Sequence, residues 1–295
     1  MSDRSTRMNR GAVGRCLGGL SLTLLLVLLA GASCLAHTLR LADEKIVTLA
    51  EMIADLRQAR VVLIGEVHDN PHHHQAQLQL LKALVATGAK VAVGLEMFRS
   101  DSQPALDQWV AGRLDRAKFR EISQDNWGNA PQYEEIYLYA RVQRLPLIGL
   151  NFSRRISQQV AAHGFASLSK ELLGELPWVQ CVVSPAYQEF IGRAMGKHQQ
   201  PGISFTNFCE AQMLWDSVMA RNLHDYLARH PEQTVVVLAG DGHAWKHAIP
   251  AQLSRLGDTS WRVVLPEIPG QTEKLDLTAA DTDYLLLGVD EGPVH

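Results

Sequence analysis

The stretch VVLIGEVHDNPHHHQAQ, residues 61–77, decides how this chain reads. Val61, Val62, Leu63 and Ile64 form a short, unbroken apolar run that Gly65 closes. A run of that length with no polar alternation suits a strand covered on both faces, as in a parallel sheet. Polar groups then arrive together: Glu66, His68, Asp69 and Asn70. Asn70-Pro71 suits a helix N-cap with proline in the first turn. Groups just past the carboxyl end of a parallel strand line the crevice where open α/β sheets bind ligands.

The same form recurs in VVVLAGDGHAWKHAIP, residues 235–250. Gly65-Glu-Val-His68 and Gly240-Asp-Gly-His243 each put a histidine at the end of a buried strand. If the two strands are neighbours, His68 and His243 converge. VAVGLEMF, residues 91–98, brings Glu96 to the end of a third apolar run. Glu66, His68, Glu96 and His243 then form a mixed carboxylate–imidazole set. Such a set suits a divalent metal ion (Zn, Mn or Fe), or the acid and base of a hydrolase. The competing expectation is a hydrogen-bonded network that only orders the loops. His74, on the first turn of the following helix, can face the crevice, while His72 and His73 read as a solvated cluster. In AQMLWDSVMA, residues 211–220, Gln212 and Asp216 stand four apart on one helix face and can reach the same crevice.

Outward from these segments, apolar runs at 61–65, 91–96, 147–151, 234–239, 261–265 and 284–289 alternate with helical patterns at 44–58, 72–87, 133–143, 153–163 and 243–256. This alternation predicts an α/β fold, a mostly parallel sheet flanked by helices. The stretch 165–229 breaks the rhythm and reads as a smaller inserted helical subdomain. Met213, Leu214, Val218 and Leu223 mark a long amphipathic helix within it.

The 295 residues suffice for one large α/β domain over 40–295, and the apolar content of 46% supports a sizeable core. A net charge of −3 gives no general affinity for nucleic acid. Arg4, Arg7, Arg10 and Arg15 precede an apolar run from Leu17 to Ala30, then Gly31, Ala32, Ser33 and Cys34. Residues 1–34 therefore read as a signal peptide, and Cys34 as a candidate for lipidation at the start of an exported chain. Cleavage after Ala32 or Ala36 is the rival. Cys181 and Cys209 then remain, as a disulfide or as two buried thiols. No Cys-x-x-Cys-His occurs, which excludes covalent c-type haem.

The strings LIGEVHDNPHHH, GLEMF, Trp127 to Tyr133, AQMLWDSVMA and AGDGHAWKHAIP together resemble the ChaN family of haem-binding lipoproteins. That family is grouped with the Tiki metalloproteases and erythromycin-esterase-like proteins. The resemblance implies haem uptake in the periplasm or at the outer membrane, with an outer-membrane haem receptor as a partner. It implies a homodimer that encloses haem, with a tyrosine from one protomer on each iron and a histidine from the other near the propionates. Tyr187 and Tyr133 are the candidate ligands, Tyr187 first because it lies in the helical insertion, and His198 is the candidate propionate contact. Gly31 stands where the family's lipidation motif prefers leucine. The alternative function is a metal-dependent peptidase or esterase built on the strand-end Glu/His set.

Overall fold

A computed structural model describes residues 37–128, 130–194 and 204–289. Eight strands form one sheet in the order β2-β1-β8-β7-β3-β6-β4-β5. They are β1 (Thr38–Arg40), β2 (Lys45–Val47), β3 (Val61–Glu66), β4 (Val91–Arg99), β5 (Leu147–Asn151), β6 (Thr234–Gly240), β7 (Trp261–Pro266) and β8 (Tyr284–Leu286). The strands from β8 to β5 run parallel, and β1 adds an antiparallel pair at one side. The sheet is therefore mostly parallel and α/β, as the apolar runs require.

Alternation along each strand divides the core in two. Val62, Ile64, Val93, Leu95, Val236 and Leu238 pack on one face, beneath α1 (Leu49–Leu56), α2 (Pro71–Ala86) and α5 (Glu134–Gln143). Val61, Leu63, Val235, Val237, Val263 and Leu265 pack on the other, beneath α9 (Phe205–Arg229) and α11 (Ile249–Leu256). The central strands are apolar along the runs that lead up to Glu66, Glu96 and Gly240, because both faces are covered.

Two expected helices are reshaped. The pattern at 44–58 contains β2, and the helix starts only after Thr48, which forms a capping box with Glu51. The pattern at 243–256 is two helices, α10 (Asp241–Ala244) and α11, with an extended Trp245 between them. Pro250 has no amide hydrogen for a continuing helix, so the break places it in a new first turn. Two unexpected helices, α3 (Gln103–Val110) and α4 (Arg116–Asn126), fill a stretch that shows no clear pattern in the sequence.

The stretch 165–229 holds α7 (Lys170–Gly174), α8 (Pro185–Ala194) and the whole of α9. Met213, Leu214, Val218 and Leu223 are all buried along α9, as its amphipathic pattern requires. With α6 (Arg154–His163), this stretch builds a third apolar cluster around Phe152, Ile156, Leu172 and Leu214.

Candidate active-site crevice

β3 and β6 are neighbours, and β4 lies on the far side of β6. Glu66 pairs in register with Gly240, so both Gly-x-x-His segments leave the sheet side by side. The convergence of His68 and His243 follows from this pairing.

Glu66 is fully buried and has an imidazole against each of its oxygens. His68 Nδ1 lies 2.8 Å from its Oε1, which also accepts a short hydrogen bond from the Tyr133 hydroxyl. His74 Nε2 lies 2.6 Å from Oε2. Burial works against the Glu66 charge, but the bonds from His68 and His74 outweigh it and hold the carboxyl down at about 2.

His243 repeats the pattern with a different carboxylate. Its Nδ1 is 2.7 Å from Oδ1 of Asp216, which α9 carries into the crevice. Tyr187, on α8, donates to the other oxygen of Asp216 at 2.5 Å. Burial raises the Asp216 carboxyl above its ordinary value, against the pull of His243.

Both rings therefore point their Nε2 atoms inward, and both meet one oxygen. Glu96 Oε1 lies 3.9 Å from His68 Nε2 and 3.8 Å from His243 Nε2. Its other oxygen accepts from the Gly240 amide at 2.7 Å. A tryptophan meets each ring at a steep angle: Trp127 on His68 at 5.0 Å between centroids, and Trp215 on His243 at 5.6 Å.

Burial lowers both imidazoles, but the surrounding carboxylates more than reverse it. The Glu66 bond and the field of Glu96 push His68 up to about 9. Glu96 and Asp216 push His243 up to about 8. Asp241, which accepts from Gln271 at 2.8 Å, is raised by burial to about 6. Two oriented imidazoles facing one carboxylate oxygen form an acid–base pair.

Glu66, His68, Glu96 and His243 thus come together at one place. Both Glu66 oxygens are already engaged by protein groups. Among the described residues, no group of three or more His, Cys, Asp or Glu is disposed to hold a metal ion. The divalent ion of the sequence reading finds no support. Asp216 reaches the crevice, whereas Gln212 has no part in this network.

His73 corrects the reading of a solvated cluster. It is buried, and its Nδ1 accepts from the Val67 amide at 2.9 Å. Asn70 caps α2 as expected, accepting from the amides of His72 and His73. Cys181 and Cys209 are free thiols. Cys34 and His198 lie outside the described residues. The roles of Asp241, Trp127 and Trp215 were not read from the sequence, since only strand order brings these residues together.

The family described as "Haem-binding uptake, Tiki superfamily, ChaN" matches residues 52–253. Among solved structures, the haem-bound ChaN of Campylobacter jejuni is similar at 20% identity and a TM-score of 0.64, covering 84% of this chain and 95% of that one. It shows the fold. The type III effector HopBA1 is more distant, at 10% identity and a TM-score of 0.47 over 81% of this chain and 92% of its own. A mutant of the erythromycin esterase EreC stands at 17% and 0.46, over 78% and 76%. No curated protein matches.

Proposed function

The chain belongs to the haem-binding uptake family of the Tiki superfamily, ChaN, and on that premise we propose that it binds haem during iron uptake. The match over residues 52–253 carries this reading. In it, two copies enclose the haem and a tyrosine is the protein donor to iron. Export through residues 1–34, an acyl anchor at Cys34 and supply from an outer-membrane receptor complete the reading. The surface supports a large apolar ligand. Trp178 is 69% exposed and Val182 52%, both between α7 and α8, and Phe205 opens α9 half-exposed. Exposed side chains of that size suit burial against a porphyrin or a second copy.

The candidate tyrosines, as placed, do not fit an iron ligand. Tyr187 and Tyr133 are buried, and each hydroxyl donates to a carboxylate. Burial beside that carboxylate drives both phenols up, away from the anion that binds ferric iron. Tyr187 must leave Asp216 before it can serve. The test is an optical titration of the mature chain with hemin, alongside Tyr187→Phe and Tyr133→Phe. A saturable ferric–tyrosinate spectrum lost in one variant names the ligand. A spectrum unchanged in both assigns the ligand elsewhere, and no saturation in the parent chain ends the haem reading.

One observation favours a second reading, hydrolysis without a metal: two histidines, each oriented by its own buried carboxylate, face the same oxygen of Glu96. His243, the less basic, takes a proton from water at Nε2 while the water oxygen bonds to an ester carbonyl carbon. When the bond to the leaving oxygen breaks, His68 Nε2 supplies that oxygen with its proton. Solvent then returns a proton from His243 to His68, leaving an acid and an alcohol. Turnover of 4-nitrophenyl acetate, lost in both His68→Ala and His243→Ala, supports this chemistry. An inert parent chain refutes it.

A further inference from the structure

The crevice continues into a cavity of about 100 Å³ beyond Glu96, walled by Trp127, Trp215, Asn151, Arg99 and Arg154. Liquid water takes about 30 Å³ per molecule, so the cavity admits a small group of atoms. Its polar groups are nearly all occupied. Arg99 is held by Asp101 at 3.2 Å and Asp125 at 3.1 Å. Asn151 donates to the Glu96 carbonyl and accepts from the Phe152 amide, both at 2.8 Å. Of the charged and amide side chains on this wall, two groups have no hydrogen-bond partner among the described residues. One is Glu96 Oε1, beneath the two imidazoles, and the other is the exposed guanidinium of Arg154.

Arg154 is also in an unfavourable place for helix stability. It opens α6, where a positive charge opposes the helix dipole, and no acidic residue stands in that first turn. Its neighbour Arg155 is neutralised by Glu175 at 2.6 Å, but Arg154 has no such partner.

We propose that this cleft selects a substrate carrying a carboxylate, which Arg154 holds while the scissile ester lies between the Nε2 atoms of the two histidines. The assignment rests on the hydrolytic reading of the crevice. A guanidinium grips a carboxylate through two parallel N–H donors, which fixes direction as well as charge. Trp127 and Trp215 supply apolar walls for the part of the substrate between its two polar ends. The substrate class is therefore an ester with an acidic substituent a few bonds from the scissile carbonyl.

The test compares 3-acetoxy-4-nitrobenzoate with 3-acetoxy-4-nitrobenzamide, an acetate ester of nearly the same size in which a neutral amide replaces the carboxylate. The expected result is at least a tenfold preference in kcat/KM for the anion, carried mainly by KM. Arg154→Gln brings the ratio to about one, and Arg154→Lys restores part of it, because charge returns without the fork. Equal rates on the two esters in the parent chain, or a preference that survives in Arg154→Gln, overturn the proposal. If neither ester turns over, the hydrolytic reading fails separately. Tryptophan fluorescence titrated with the free product, 3-hydroxy-4-nitrobenzoate, then decides the anion seat. Saturation lost in Arg154→Gln keeps it, and no saturation removes it.

Discussion

Gly240 lies under the imidazole of His68: a Cβ at Gly240 would stand 3.0 Å from both Cε1 and Nε2 of that ring. The relation is reciprocal between the motifs. A Cβ at Gly65 would stand 3.1 Å from the Cα of Asp241 and 2.8 Å from Leu265 Cδ2. Each Gly-x-x-His segment thus carries a glycine because the other segment passes against it. Gly240→Ala is expected to push His68 off Glu96 while the sheet stays folded. Ester turnover should fall at least tenfold with a melting temperature within a few degrees of the parent, as activity assays and calorimetry can show. A fall in stability without a specific loss of turnover would refute the ring-displacement account.

The Asp216–His243 pair gives a pH prediction. His243 must be neutral to take a proton from water, and it is held up at about 8 by Glu96 and Asp216. Asp216→Asn removes part of that support, so His243 loses its proton at lower pH. The acid limb of the rate profile should shift downward, while the maximal rate drops by about 100-fold or more because an amide no longer fixes the tautomer of the ring or stabilises its cation. The alkaline limb reports His68, raised to about 9, and should stay in place. An acid limb that does not move would remove His243 from the role of base.

Stability should fall between about pH 6.5 and 9. A histidine whose folded pKa exceeds its unfolded value of about 6.5 binds its proton more tightly in the native state. That stabilisation is complete below the unfolded value and is lost as pH rises through about 8 for His243 and about 9 for His68. Glu66 acts at the other end. Its carboxyl is depressed to about 2, so its contribution is present above the ordinary glutamate value and lost as pH falls through about 2. Asp241, raised to about 6, has the opposite sign to Glu66, and its effect is complete before the histidine window opens. Chemical denaturation across this range should show a flatter alkaline decline in His68→Gln. An identical decline would mean that His68 is not the titrating group.

The crevice was legible in the sequence because its parts stand at strand ends, and strand ends are local signals. The apolar runs before Gly65 and Gly240 located Glu66, His68 and His243, and the run at 91–96 located Glu96. Residues placed by long-range packing were not legible in the same way. Tyr187 sits against Asp216 because α8 folds over α9, a contact that no local pattern in the sequence signals. His73 was read as solvated, because nothing in a triple histidine says which ring turns under the Val67 amide. β1 and β2 were missed because three residues each give too little pattern, and their pairing partners are distant or antiparallel.

β5 is one of the two edge strands of the sheet, and the side chain of Gln103 covers it. Its Nε2 donates to the Leu147 carbonyl at 2.7 Å and its Oε1 accepts from the Gly149 amide at 3.1 Å. One side-chain amide thus satisfies the two backbone groups that a neighbouring strand would have paired. Exposed edges of this kind template intermolecular pairing. Gln103→Leu keeps the bulk but leaves both groups without partners, at a cost of roughly 2 kcal/mol. The melting temperature should then fall by about 5 °C, since about 2–4 °C follows each kcal/mol in a chain of this size. Light scattering on heating should begin earlier than in the parent. A variant that melts lower without earlier scattering would show that Gln103 stabilises the fold but does not guard the edge.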